Sequence, residues 1–125
     1  MGSWQIEHME RDNILHVKVT GEMTEDQVVR HVSDALAVAA AHGCTRFLVD
    51  HREMIPLVPI ARLYGLPGVF EGVGLRRTHR LGVLYSPSTG HGEEYKFFET
   101  VSVNNGFQVQ LFTRDSEAMA WLKVS

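Results

Sequence analysis

The sequence predicts an α/β domain with the element order ββαβαβαβα, a mainly parallel five-stranded sheet with an antiparallel edge strand and packed helices. Three observations carry this reading. Two period-two runs near the amino terminus are joined by turn residues, which is a hairpin pattern. Two short β-rich runs, Thr45 to Val49 and His79 to Tyr85, are apolar on both sides, as inner strands covered on both faces require. The stretches between and after them repeat apolar residues at helical spacing, and strands separated by helices imply right-handed crossovers.

Trp4 to Met9 alternates loosely, Glu10-Arg11-Asp12-Asn13 turns the chain, and Ile14 to Thr20 alternates again. Thr24 followed by Gln27 forms a capping-box pattern. Val28, Val32, Leu36 and Ala39 or Ala40 then share a helical face, and Gly43 after His42 suits a left-handed cap. Thr45 to Val49 is the third strand, and Asp50 is expected to mark its end. Met54 to Leu75 is rich in apolar residues but interrupted by Pro56, Pro59, Gly65, Pro67 and Gly68, which predicts a broken helix packed on the sheet. After the strand at 79–85, Ser86 to Gly92 reads as a loop. Glu93 and Glu94 favour the start of a helix that Asn104-Asn105-Gly106 ends. Phe107 to Phe112 alternates as an outer strand, and Asp115 is expected to cap a last helix whose Ala118, Trp121 and Leu122 face the sheet.

The 125 residues suit one domain, spanning 1–125, with enough chain for a core without staples. A 44% hydrophobic and 22% charged composition is that of a globular protein. The net charge of -3 argues against nucleic acid as the partner, because such domains carry a basic surplus. The single Cys44 excludes an intrachain disulfide and a multi-cysteine zinc site, and it reads as a core residue of a protein in a reducing compartment. No run approaches the ~20 apolar residues of a bilayer span, and no signal core is present, so the expectation is a cytoplasmic chain without membrane insertion.

The element order, Phe47-Leu48-Val49-Asp50, and the tail from Phe97-Phe98-Glu99-Thr100-Val101 through Asn105-Gly106-Phe107 and Phe112-Thr113 to Glu117-Ala118-Met119-Ala120-Trp121-Leu122 together resemble the SpoIIAA-like, or STAS-type, bacterial domains. The resemblance implies a non-enzymatic regulatory scaffold that binds a protein or a small molecule, with lipid-binding relatives in the wider fold. In the family's anti-sigma-factor antagonists a phosphorylatable serine follows the strand-ending Asp by two residues. Asp50 matches that Asp, but Arg52 stands at the serine position, so the phosphorylation switch does not transfer.

Two candidate sites emerge. Asp50, His51 and Arg52, with Ser86, Ser88, Thr89 and His91 from the next loop, form a candidate polar binding edge at one end of the predicted sheet; the plainer alternative is a set of caps and solvated turns. Ile55, Leu57, Ile60, Leu63, Tyr64, Leu66, Val69 and Phe70 form a candidate apolar surface for a ligand or a protein partner, and such a surface also suits a homodimer contact. No metal or other cofactor is expected, since Asp50, His51 and His91 lie on two loops without close histidine spacing. Ser86 and Ser88 lack a nucleophile elbow, and Gly72-Val73-Gly74 lacks the third glycine of a dinucleotide loop. A receiver domain is disfavoured because Thr20-Gly21 and Thr113-Arg114 stand where its acidic pair and lysine belong. Arg76, Arg77, His79 and Arg80 make the densest basic patch, read as solvated. The leading expectation is a protein-interaction or regulatory module, the second a carrier or sensor of a small apolar ligand, and an enzyme using Asp50, His51 and His91 a distant third.

Overall fold

The computed structural model describes residues 2–124. Strand β1 (Ser3–Met9) pairs antiparallel with β2 (Ile14–Met23), and β3 (Arg46–Pro56), β4 (Arg80–Leu84) and β5 (Gln108–Phe112) follow in parallel, giving the order β1-β2-β3-β4-β5. Each parallel strand lies beside its predecessor, always stepping in one direction. Right-handed crossovers then put every connecting helix on the same face.

Those helices are α1 (Glu25–Ala41), the short α2 (Ile60–Leu63) and α3 (Leu66–Gly72), and α4 (Gly92–Asn104). Beneath them lies the main core, in which Leu15, Val17, Val19, Phe47, Val49, Val83 and Val109 from the sheet meet Val28, Ala35, Phe70 and Tyr95 from the helices. The terminal helix α5 (Asp115–Lys123) folds back onto the opposite face. There Ala118 and Leu122 pack on Ile14, Leu48 and Leu84 as a separate, smaller core.

The local signals act as expected in α1. Thr24 and Gln27 form a reciprocal capping box. At the other end Gly43 takes φ 60, which lets the Cys44 amide return to the Ala39 carbonyl at 2.8 Å. The middle segment is the expected broken helix: α2 begins after Pro59, and α3 carries Pro67 in its first turn, where a missing amide costs no hydrogen bond.

Two expectations are corrected. β3 does not end at Asp50 but runs on to Pro56, because β2 extends to Met23 and keeps pairing with it. The extension contains a bulge: Lys18 pairs with Asp50 and Thr20 with Glu53, so Val19 faces both His51 and Arg52. Asp115 does not cap α5. Arg114 holds the cap position without a side-chain bond, while the Asp115 carboxylate pairs with Arg52 at 3.1 Å. The basic patch is exposed at Arg76 and Arg77, Arg77 also lying 4.5 Å over Phe107 and pairing with Glu71, while the half-buried Arg80 lies 4.3 Å over Trp121 and donates to the Val124 carbonyl.

At the β5 edge, the α4 side chain of Glu99 accepts the Leu111 amide at 2.8 Å, which ties helix to strand.

Candidate functional site

Between the main face of the sheet and its helical cover lies a cavity of about 90 Å³. Val17, Val49 and Val83 form its floor, Val28 and Ala35 of α1 one side, and Leu63, Leu66 and Phe70 its roof. The space exists because small side chains on the sheet and α1 stand opposite a roof made of two short, broken helices that cannot press evenly onto it. A dry cavity of about 150 Å³ with a similar lining accepts benzene, so this one suits a smaller hydrocarbon group before any movement of the roof.

One end of the cavity is bounded by residues that carry polar groups, although the surface facing the space is almost wholly apolar. His31 of α1, His51 of β3, and Glu94 and Tyr95 of α4 all reach it. Alternation along β3 sets this up, turning Phe47, Val49 and His51 toward the helices while Asp50 and Arg52 turn to the α5 face. His51 Nε2 lies 3.3 Å from His31 Nε2, and the Tyr95 ring lies 5.7 Å from the His51 ring between centroids. His31 is 3% exposed; His51 keeps some surface, yet its Nδ1 is fully shielded. Burial lowers the His31 pKa to about 4, and burial together with the facing His31 lowers that of His51 to about 3. Both rings are therefore neutral at pH 7. Burial likewise pushes the Tyr95 hydroxyl up, so it stays protonated.

The predicted polar edge is not one site. Asp50 is buried on the α5 face, where its carboxylate accepts the Arg52 amide at 3.1 Å and the Arg52 guanidinium at 2.9 and 2.8 Å. Burial opposes its charge, but these bonds outweigh burial and hold its pKa below the ordinary carboxylate value. His51 points to the other face. The register sets Leu84 beside Asp50, so the loop after β4 does lie at that level of the sheet. Its polar groups are engaged with one another, however: Ser86 with Ser88 at 2.9 Å, Thr89 with the Ser86 carbonyl at 2.8 Å, and His91 with Glu94 at 3.1 Å. The convergence of Asp50, His51 and His91 that an enzyme would need is absent among the described residues.

The predicted apolar surface divides in two. Leu63, Leu66 and Phe70 are buried in the cavity roof, whereas Ile55, Leu57, Ile60, Tyr64 and Val69 are exposed, Tyr64 by 73%. His31 and Tyr95 are the site residues that sequence patterning missed. A histidine one turn after Val28 in the apolar stripe of α1 was the available signal.

Among the described residues no group of three His, Cys, Asp or Glu side chains could hold a metal, and no helix is long and apolar enough to cross a membrane.

No family's sequence profile matches the chain, and no curated protein matches it. Solved structures do. An uncharacterized protein of the DUF3478 family with a SpoIIAA-like fold, from Shewanella loihica PV-4, superposes with a TM-score of 0.59 at 16% identity, over 97% of this chain and 93% of its own. The anti-sigma factor antagonist SpoIIAA in its unphosphorylated form superposes with a TM-score of 0.54 at 16% identity, over 98% of this chain and 100% of its own. The fold of this chain is therefore SpoIIAA-like.

Proposed function

We propose that this chain is a non-enzymatic regulatory module that takes a small apolar ligand into the cavity beneath α2 and α3. The carbon-lined cavity of about 90 Å³ is the observation that carries the reading. The roof over it is the least regular part of the fold, two helices of 4 and 7 residues, so occupancy is readily coupled to the roof's outer surface.

A second reading, docking of a protein partner, draws on the exposed Ile55, Leu57, Ile60, Tyr64 and Val69 of that same surface. It agrees with the description of the fold neighbour as an anti-sigma factor antagonist.

Ala35→Leu fills the cavity from a helical position that favours leucine. The variant is expected to be as stable as the parent or more so, and to lose at least tenfold in affinity for small hydrocarbons such as cyclopropane, read by NMR titration. Unchanged cyclopropane affinity in the variant, or no cyclopropane binding by the parent, refutes the ligand reading. Replacing Tyr64 and Ile60 with serine tests the partner reading: both side chains point outward, so stability should hold while any partner complex weakens.

A further inference from the structure

The protonation pattern at the polar end of the cavity follows from its neighbours. His31 Nδ1 faces the Val28 carbonyl, which only accepts, so Nδ1 carries the hydrogen and donates it. The other nitrogen of that neutral ring is then an acceptor. His51 Nε2 therefore donates to it across 3.3 Å, and His51 Nδ1 is left as a bare lone pair. That atom and the Tyr95 hydroxyl are both shielded and have no hydrogen-bond partner among the described residues. They belong to neighbouring rings at one wall of the cavity. Unmet buried polar groups are uncommon because each costs free energy, and two on adjacent rings of a binding wall call for a common explanation.

We infer that the His51–Tyr95 wall receives the polar end of a small hydrocarbon bearing one O–H group, an alcohol or an un-ionised acid, which donates to His51 Nδ1 and accepts from the Tyr95 hydroxyl. This rests on the cavity being a ligand site and adds the ligand's chemical class. A hydrocarbon, ether or ester offers His51 no hydrogen. An ionised carboxylate offers none either, and it would meet two neutral imidazoles with Glu94 also at the wall. Both atoms are shielded, so binding includes a side-chain movement that opens them to the cavity.

The test compares 1-butanol, its isomer methyl propyl ether and butanoate at pH 7 by NMR titration of the whole chain. Butanol should bind about tenfold more tightly than the ether, the worth of one net hydrogen bond. Butanoate should bind more weakly than butanol. His51→Phe should reduce the preference for butanol over the ether severalfold, whereas Tyr95→Phe should weaken both, because the Tyr95 hydroxyl donates to either oxygen. Equal affinity for butanol and ether overturns the inference and leaves the cavity reading standing. Binding of neither overturns both. Tighter binding of butanoate than butanol, or a folded His51→Phe variant that keeps the full preference, shows that the wall contributes shape or charge instead, and overturns it as well. If either variant fails to fold, the comparison of ligands on the parent chain decides alone.

Discussion

Lowering the pH from 7.5 to 5 is expected to cost about 4 kcal/mol of folding stability, roughly 2 kcal/mol from each of His31 and His51. Both are depressed in the folded state, to about 4 and about 3, by burial first and, for His51, by the facing His31. Unfolded histidine titrates near 6.5, so below that pH the unfolded chain binds protons that the folded chain refuses. Stability is therefore complete above about pH 6.5 and falls as the pH drops toward the folded values. Asp34 pulls the other way for His31, and Asp50 does so for His51, but burial outweighs each of them. His79, lowered chiefly by partial burial, adds to the loss. Urea unfolding at the two pH values measures the effect. His51→Phe should remove about half of it, and a pH-independent midpoint in the parent would contradict the neutral buried pair.

Arg52→Ala is expected to cost about 3 kcal/mol, because it strands the Asp50 carboxylate, only 7% exposed, without its cation. This is set at the low end of the range for broken buried pairs because the Arg52 side chain is 39% exposed and partly screened by solvent. The loss also frees Asp115 and loosens the tie between the bulge and the start of α5. Asp50→Asn combined with Arg52→Ala should recover much of the loss, since the uncompensated charge is gone. Chemical denaturation of the two variants at pH 7 decides this, and equal instability would mean that the pair acts through geometry rather than charge.

What was legible in the sequence was what short spacing encodes. Thr24 and Gln27 sit three residues apart and cap one helix, and Pro59, Gly65 and Pro67 break a helix wherever it lies. The bulge in β3 was not legible, because it belongs to two strands at once and depends on β2 continuing through Gly21 to Met23. The same holds for the polar wall. His31 and His51 are twenty residues apart on different elements, and only the packing of α1 on the sheet brings the two rings together. The apolar middle segment was recognised as a unit, but its division into roof and outer face depends on how two short helices settle on the sheet.

The hydrogen bond between Glu99 and the Leu111 amide has a consequence for how copies of this chain meet. β5 is a sheet edge, and an edge invites another strand through its unpaired amides. With the Leu111 amide already held by an internal carboxylate, an arriving strand must displace a charge-assisted bond and leave Glu99 beside its own backbone carbonyls. The contact that ties α4 to β5 therefore also discourages edge-to-edge pairing of sheets, and it does so without a proline or an added lysine on the edge.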